Sequence, residues 1–395
     1  MREVAIIGIG HTKFGKASKT SLELFSEAAL EAIDDAGADL KDIEALFQGA
    51  ALPGFEEGQV TPAVFSAADL NMCPIPATRY EGACASASIA IREAAMWVAA
   101  GEYDMVLAGG VEKASLMGTL FATRTFAMAC HAPTEGPAGL TFPGVFAMAA
   151  RRYSKNYNIP LDKLREKMAQ VSVKNHRHGA LNPLAQFYGK MGDLKVEDVI
   201  NSRLVADPLT LLDCCPFSDG AAALVLCAAE EARKYTDTPV YILGTGQSSG
   251  GPLSKMEDLT KPVSRVSSAR MAFKHAKLSP SDIDVLEIHD CFSIAELIAL
   301  ECMGFFEWGE AANATVDGQT DLGGKTPVNM SGGLIGKGHP IGATGASQVY
   351  WLVKQMRGEA AKGNQIDPVP EYGMTDTLGG DFGTLCHIIV GRTRK

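Results

Sequence analysis

Residues 4–10 read VAIIGIG, and residues 240–246 read VYILGTG. Each segment is a continuous apolar run closed by glycine, a pattern typical of a buried strand. A second pair of matching segments follows, KDIEAL at residues 41–46 and SDIDVL at residues 281–286, so that the two offsets are 236 and 240 residues. Near-equal offsets at two places indicate an internal duplication. The sequence therefore predicts an α/β fold built from two similar halves.

Helical patterns separate the matching strands. Thr20-x-x-Glu23 has the form of a capping box and opens a pattern that ends at Gly37. A looser third correspondence is that Gly82-Ala-Cys84 and Gly342-Ala-Thr344 each precede an apolar helix. We place the two halves at residues 1–235 and 236–395.

An insertion interrupts the first half. From about residue 114 to residue 205 the strand–helix rhythm breaks, and the segment contains the polar stretch KNHRHGALNP at residues 174–183. We predict an inserted loop region here, and binding surfaces are common in such regions.

Composition excludes several classes of protein. The 395 residues carry 36 Lys and Arg against 46 Asp and Glu, a net charge of −10, which argues against a nucleic-acid binder. No apolar run reaches the roughly 20 residues that a membrane span needs, and the N-terminus lacks a signal-peptide pattern. The nine cysteines are scattered with no Cys-x-x-Cys pair, so we expect free thiols and a cytoplasmic location.

The glycine-rich segments do not match nucleotide-binding motifs. After Gly8-x-Gly10 the next glycine is Gly15, too late for a dinucleotide fingerprint, and the GGLIGKG segment at residues 332–338 lacks the spacing of a phosphate loop. His176-x-His178 has no third ligand at suitable spacing, so a solvated or substrate-facing loop is favoured over a metal site. We predict no metal.

Cys84 is the first candidate for chemistry. It lies among small residues at the predicted first turn of a helix, where backbone N–H groups and the helix dipole lower a thiol pKa. The alternative is an inert buried cysteine. Two histidines favour the chemical interpretation: His339 lies in the glycine-rich turn GKGHPIGATG at residues 336–345, and His289 begins HDCF at residues 289–292, after an apolar strand. This set resembles a nucleophile, a base and oxyanion donors.

Together these motifs carry a family resemblance. The sequence resembles the thiolase superfamily along essentially its whole length, most closely the branch with an HDCF motif, typified by sterol-carrier-protein-2-type and archaeal thiolases. The matching segments are GACASAS (82–88), AGGVEKAS (108–115), KNHRHGALNP (174–183), HDCF (289–292), GHPIGATG (338–345) and GGDFG (379–383). The resemblance implies the thiolase fold, two duplicated βαβαβαββ halves in α-β-α-β-α layers.

The resemblance also implies roles for individual residues. Cys84 would accept the acyl group, and His339 would take its proton and later help to bind the thioester oxygen. His289 would support the same oxyanion hole. The backbone N–H groups of Cys84 and Gly379 would form a second hole for the tetrahedral intermediate.

One departure from the family pattern matters. Thiolases commonly carry their acid/base cysteine in a C-terminal Cys-x-Gly, but here the aligned triplet is Thr377-Leu378-Gly379. In the HDCF branch the duty passes to the cysteine of that motif, so we assign Cys291 as the residue that abstracts the α-proton. Cys386 is predicted to be a core residue.

The implied function is that of an acetyl-CoA C-acetyltransferase, which condenses two acetyl-CoA into acetoacetyl-CoA and CoA as a first step toward isoprenoids. The alternatives are a degradative 3-ketoacyl-CoA thiolase and a non-catalytic CoA or lipid carrier. Six apolar residues of the insertion are candidates for an acyl tunnel: Met117, Phe121, Phe126, Met128, Phe142 and Phe146.

Expected partners follow from the same resemblance. CoA would be substrate and product with no tightly bound cofactor, and Lys174, Arg177 and His178 would contact its phosphates. We expect a homodimer or homotetramer, and a complex with hydroxymethylglutaryl-CoA synthase through a small zinc-containing OB-fold protein. No nucleic acid or membrane partner is expected.

Overall fold

The computed structural model describes residues 2–394, so Met1 and Lys395, the outer ends of the two predicted halves, lie outside the described residues. The strands are β1 (Val4–His11), β2 (Leu46–Gly49), β3 (Ala77–Tyr80), β4 (Met105–Lys113), β5 (Leu204–Ala206), β6 (Leu209–Thr210), β7 (Asp219–Ala228), β8 (Val240–Ser249), β9 (Val285–Glu287), β10 (Tyr372–Gly379) and β11 (Thr384–Gly391). The helices are α1 (Ser21–Ala36), α2 (Pro53–Glu56), α3 (Pro62–Asp69), α4 (Ser86–Ala100), α5 (Thr119–Phe126), α6 (Phe142–Asn156), α7 (Leu161–Leu181), α8 (Val196–Ile200), α9 (Val263–Ala276), α10 (Ser293–Cys302), α11 (Ala311–Val316), α12 (Gly333–Lys337) and α13 (Thr344–Arg357).

Nine strands form one mixed sheet in the order β3-β2-β4-β7-β1-β8-β11-β10-β9. In the first half, β7 is antiparallel to β1 and β4, while β2 is parallel to β4 and β3. In the second half, β11 is antiparallel to β8 and β10, β10 is parallel to β9, and a parallel bridge from Leu286 to Val328 takes the place of β3. The predicted duplication is confirmed by the same strand order and directions in both halves.

The two near-identical segments lie side by side. Val4 is paired with Ile242, and Ile6 with Val240, in an antiparallel ladder between β1 and β8. The halves are therefore joined edge to edge through the two copies of their opening strand. This backbone pairing joins the strands of both halves into one continuous sheet. The duplication in the sequence indicates two halves but does not show that their sheets are joined.

Both faces of the sheet are covered, which explains the continuous apolar strands. Val4 and Ile6 face a core formed with α4 and α13, whereas Ala5 and Ile7 face a second core formed with α1. A third core lies between the second-half strands and helices α6, α7, α9 and α10. The central helices α4 and α13 thus lie between the two halves, as the predicted α-β-α-β-α layering requires.

The glycines of the repeated strands allow helices to pack closely against those strands. A Cβ on Gly10 would lie 2.0 Å from the carbonyl oxygen of Ala28 in α1, and a Cβ on Gly246 would lie 2.0 Å from that of Ser268 in α9. Because any side chain would collide with helix backbone, glycine lets each helix lie directly on its strand. This explains why the segments carry Gly-x-Gly without the rest of a nucleotide fingerprint.

The insertion differs from the predicted loop region because it is largely helical. It contains α5 to α8, and the predicted loop KNHRHGALNP begins inside α7, a helix of 21 residues. Leu164, Met168 and Val171 recur at helical spacing and are fully buried. The helix stays intact through the polar stretch because buried partners satisfy its polar side chains.

Among residues 2–394, no helix combines the length and the apolar character that crossing a membrane requires.

Replacing Gly246 with alanine tests this packing. The new Cβ must push α9 away from β8, so we expect Gly246→Ala to lower the free energy of unfolding by about 3 kcal/mol or more. Urea unfolding followed by circular dichroism measures the change.

Gly58→Ala is the matched control. Gly58 has a φ of +71° with nothing within 4 Å of an added Cβ, so its replacement should cost about 1–2 kcal/mol for backbone strain alone. Equal effects of the two substitutions would contradict the packing explanation.

Candidate active site

Cys84 is held on a tight turn just before α4. Ala83 adopts a left-handed conformation with a φ of +49°, and the turn Ala83–Ala85 leads directly into the helix. The Ser86 hydroxyl donates to the carbonyl of Ala83 at 2.6 Å and accepts the Gly82 N–H at 3.1 Å. These bonds fix the turn, so the half-buried Cys84 side chain is presented in one direction.

His339 comes from the second half and has a defined tautomer. The Thr344 hydroxyl donates to the carbonyl of Pro340 at 3.1 Å, so it accepts a hydrogen bond from His339 Nδ1, 2.7 Å away. With the proton on Nδ1, Nε2 carries a free lone pair. The backbone N–H of His339 donates to Ser218 Oγ at 2.9 Å and fixes the turn that carries the ring. His339 is therefore arranged as a proton acceptor.

His289 completes a three-residue cluster. The sulfur of Cys84 and one ring nitrogen from each of His289 and His339 all lie within 4.8 Å of one another. The two imidazole centroids are 5.0 Å apart with their planes at 88°. Both nitrogens of the fully buried His289 lack a hydrogen-bond partner among the described residues. The structure thus brings together the predicted nucleophile and both predicted histidines.

Burial keeps all three groups neutral in the free protein. It raises the pKa of Cys84 to about 12, and burial together with the nearby Lys337 cation lowers the pKa of His339 to about 3. Burial and the neighbouring His339 also place the pKa of His289 well below its usual value. The expectation that the helix terminus lowers the Cys84 pKa is wrong, because the loss of water outweighs the local N–H groups.

The backbone N–H groups that favour the Cys84 thiolate include a neighbour of the predicted oxyanion donor Gly379. The N–H groups of Gly380 and of Cys84 itself favour the thiolate. Gly379, the predicted donor, ends β10 and packs so closely on the turn that an added Cβ would lie 2.0 Å from the carbonyl oxygen of Gly82. Gly379 therefore permits the contact, and its role as an oxyanion donor stays a prediction.

Cys291 lies beside this cluster. It is buried, and its pKa is raised well above the usual value by burial and by negative charge on Cys84, while Arg265 opposes the shift. Because charge on one thiol affects the other, Cys84 and Cys291 are close enough to interact.

A third thiol, Cys215, escaped sequence analysis. Its N–H donates to the carbonyl of Cys291 at 3.0 Å, and its pKa is raised by burial and by Cys291, Cys214 and Cys84. Cys214 also bridges to Phe292. The adjacent Cys214 and Cys215 belong to none of the motifs described above, and nothing in the sequence indicates that they lie beside HDCF.

The two residues that departed from the family pattern are part of the interior. The Thr377 hydroxyl donates to Gln348 Oε1 at 2.6 Å and lies 2.7 Å from Ser88 Oγ. Cys386 is fully buried against Ala85 and Ile89, in agreement with its predicted place in the core. Neither takes part in the cluster around Cys84.

Three residues predicted to contact CoA have other partners. Lys174 is buried, and its ammonium lies 2.6 Å from Glu296 and 3.1 Å from the carbonyl of Val328. The buried His178 lies 3.0 Å from an Asp321 oxygen, and the exposed Arg177 pairs with the same carboxylate. Lys174 and His178 are thus inaccessible to a phosphate, which argues against the predicted CoA contacts at these two positions, whereas the contact at the exposed Arg177 stays a prediction. His176 is likewise buried in α7, with Nδ1 2.9 Å from the carbonyl of Ser172.

Aromatic residues of the insertion pack against segments that carry the site residues. Phe146 in α6 is fully buried, stacked on Phe292 of HDCF at 4.7 Å and tilted against Phe382 of GGDFG at 5.3 Å. Phe126 contacts Phe217 at 5.1 Å, and the residue Phe217 also bridges to His339. Two of the predicted tunnel residues therefore pack on the catalytic segments. Leu120, Phe121 and Met128 are exposed.

A second group of side chains has donor atoms of the kind that bind metal ions. Cys130, Glu135 and Asp381 are buried, with one atom from each within 4.8 Å of the others. Glu135 accepts the N–H groups of His131 and Leu253, both at 2.6 Å. Burial and Glu135 raise the pKa of Asp381 to about 7, so a proton shared between the carboxyls explains their proximity. The absence of a metal stays a prediction.

The duplicated fold and a thiol flanked by two imidazoles are what an enzyme that transfers acyl groups through cysteine requires. Comparison with known proteins agrees: the model of the thiolase N-terminal domain matches residues 4–230, and that of the thiolase C-terminal domain-like family matches residues 245–392. The chain belongs to the thiolase family.

Relatives cover the whole chain. An acetyl-CoA acetyltransferase of Methanothermobacter thermautotrophicus is 46% identical over 99% of this chain and 100% of its own length. Human sterol carrier protein 2 is 34% identical over 92% of this chain and 67% of its own length. Among solved structures, an Ltp2-ChsH2(DUF35) aldolase has a TM-score of 0.83 and 29% identity, covering 100% of this chain and 98% of that one.

The pH dependence of Cys84 alkylation tests the neutral state. With a thiol pKa of about 12, the thiolate fraction should rise about tenfold per pH unit from pH 6 to 9 without a plateau. Peptide mass spectrometry after timed iodoacetamide treatment gives the rate, with a small free thiol as control. A plateau below pH 7 would show a thiolate–imidazolium pair instead.

Proposed function

We propose that the protein condenses two acetyl-CoA into acetoacetyl-CoA and CoA through an acetyl-Cys84 intermediate. The observation that carries the proposal is the mutual closeness of the Cys84 sulfur and the His289 and His339 nitrogens, all within 4.8 Å. Full-length similarity to an archaeal acetyl-CoA acetyltransferase supports acetyl-CoA as the substrate.

In the first half-reaction Cys84 is acylated. His339 Nε2 takes the thiol proton as the sulfur attacks the thioester carbonyl, and the oxyanion accepts hydrogen bonds from the N–H groups of Cys84 and Gly379. The carbon–sulfur bond to CoA breaks, and the proton on His339 passes to the departing CoA thiolate. The free lone pair on Nε2, fixed through Thr344, makes this transfer available.

In the second half-reaction Cys291 acts as the base. Cys291 first loses its thiol proton to solvent, and its thiolate takes the α-proton of a second acetyl-CoA. The enolate oxygen lies between His289 and His339 and accepts a hydrogen bond from the ring N–H of His289, whose nitrogens have no partner among the described residues. The carbanion attacks the acetyl carbonyl, Cys84 leaves as thiolate and takes the proton from Cys291, and Cys291 regains a proton from solvent. Because acylated Cys84 cannot ionise, it places no negative charge beside Cys291 when the base is needed.

A degradative thiolase of the sterol-carrier-protein-2 type is the second candidate. It is favoured by the similarity to human sterol carrier protein 2 and by the apolar residues of the insertion around the catalytic segments. A non-catalytic CoA or lipid carrier is the third candidate, and the complete cysteine and histidine cluster argues against it.

The domain boundaries and the location are also proposals. We propose halves at residues 1–235 and 236–395, supported by the match of the two domain models on either side of this boundary. We further propose that CoA is substrate and product with no tightly bound cofactor. A cytoplasmic location is supported by nine cysteines that are all free.

A homodimer or homotetramer is supported by the outer edge of the sheet. Strand β3 ends the sheet in the first half, and an unpaired edge is a template for a second copy. Val64, Phe65, Met96 and Trp97 belong to α3 and α4, which pack against β3, and are exposed.

We also propose the complex with hydroxymethylglutaryl-CoA synthase through a small zinc-containing OB-fold protein, feeding isoprenoid synthesis. The similar Ltp2-ChsH2(DUF35) aldolase joins its Ltp2 component to a DUF35 protein. That pairing supports a small partner protein for this chain.

Cys84→Ala and Cys291→Ala separate the two half-reactions. Cys84→Ala should abolish acetyl labelling and turnover, whereas Cys291→Ala should keep the acetyl group on the Cys84 peptide and lose condensation by a factor of about 10²–10⁴. Mass spectrometry after acetyl-CoA treatment and a steady-state assay measure both. Retained condensation in Cys291→Ala would move the base to another residue, with Cys215 the first candidate because its N–H donates to the carbonyl of Cys291.

Acyl-chain preference separates the leading function from the degradative one. We expect cleavage of acetoacetyl-CoA to exceed that of C8 to C16 3-ketoacyl-CoA substrates in kcat/KM by at least tenfold. A preference for the long chains would favour the degradative thiolase and refute the leading proposal.

A further inference from the structure

A buried ion pair lies directly beneath the HDCF segment. Arg265 of α9 is fully buried, with Nε 3.0 Å from Asp376 Oδ1 and Nη2 2.9 Å from Asp376 Oδ2. Asp376 lies in β10 and is also fully buried. The guanidinium therefore meets the carboxylate in the planar, two-bond geometry that makes such pairs strong.

The carboxylate of Asp376 also lies close to His289 and His387. It accepts the backbone N–H of His289 at 3.2 Å on Oδ2, and His387 Nε2 lies 3.0 Å from Oδ1. His387 is held in turn by Ser268, whose hydroxyl lies 2.8 Å from Nδ1. Burial opposes ionisation of Asp376, but Arg265 and His387 outweigh it and hold its pKa below the usual range.

The pair holds both ends of the catalytic segment. Asp376 fixes the backbone at His289, while Arg265 Nη1 reaches the carbonyl of Ala295 at 3.5 Å, in the helix that follows Phe292. The charged and titratable groups around Cys291 include Cys84 and Cys215 from their turns, His289 and Asp290 from the same loop and Arg265 from α9. Among these groups Arg265 is the one cation.

Stability alone does not account for the pair. Replacing a buried ion pair with apolar side chains is often neutral or stabilising, so a pair of this kind is weak support for a purely structural purpose. Its contacts are instead directed at His289, and its positive charge acts on Cys291.

We propose that Arg265, aligned by Asp376, is a positioning residue that holds His289 in the oxyanion site and supports Cys291 as the base of the second half-reaction. The proposal rests on the function proposed above, in which Cys291 abstracts the α-proton. It requires that condensation depends on Arg265 far more than acylation of Cys84 does.

Two substitutions of Arg265 test the proposal. Arg265→Met should form acetyl-Cys84 within about threefold of the wild-type rate but lower the condensation kcat by about 10²-fold. Without the cation, Cys291 needs a higher pH to ionise, so the acidic limb of the condensation profile should move to higher pH. Arg265→Lys keeps the charge. It should restore the wild-type pH profile and have a condensation kcat at least tenfold higher than that of Arg265→Met.

The double variant Arg265→Met, Asp376→Asn keeps the test informative if Arg265→Met does not fold, because it leaves no unpaired buried charge. It should show the same split between acylation and condensation. Arg357→Met is the matched control: Arg357 pairs with Asp35 at 2.7 Å on α13 and α1, so its loss should lower stability without separating the half-reactions.

Each outcome decides between the two proposals. Wild-type condensation in Arg265→Met, or equal losses of acylation and condensation in both Arg265 variants, overturns the role of Arg265 and leaves the acyltransferase proposal intact. Absence of acetyl-Cys84 in the wild-type protein overturns the proposed function itself.

Discussion

Backbone contact without intervening side chains brings the two halves together at the site. An added Cβ on Gly379 would lie 2.0 Å from the carbonyl oxygen of Gly82, and one on Gly345 would lie 2.6 Å from the backbone nitrogen of Ser88. Since the first contact presses the end of β10 onto the Cys84 turn, and the second joins α13 to α4, the sulfur from one half comes within reach of imidazoles from the other. The active site exists only at this junction.

Removal of water from the junction determines its chemistry. Burial makes every charged form costly, so Cys84, His289 and His339 rest as neutral groups, and charge appears only when substrate provides a carbonyl to receive it. Hydrogen bonds to groups outside the cluster then set geometry: Thr344 fixes the tautomer of His339, and Asp376 fixes the backbone of His289. The charged side chains of Arg265 and Asp376 lie beneath this cluster and pair with each other.

Sequence reasoning reaches the features that are encoded locally. The repeated strand segments predict the duplicated fold, and the motifs around Cys84, His289 and His339 predict three residues that the structure places together. It fails where distant segments decide the outcome. The polar residues of KNHRHGALNP suggest a solvated loop, yet Glu296 and Asp321 supply buried partners from elsewhere in the chain. Cys215 and Arg265 reach the site through strand and helix contacts that no local pattern shows.

The exchange of labelled CoA into acetyl-CoA tests most directly whether His339 activates Cys84 across the junction, because this exchange needs acyl transfer but no second acetyl-CoA. In a His339→Ala variant that folds as the wild type does, the account predicts that the exchange rate falls by about 10²–10⁴-fold at neutral pH. Exchange at the wild-type rate in that variant would contradict it.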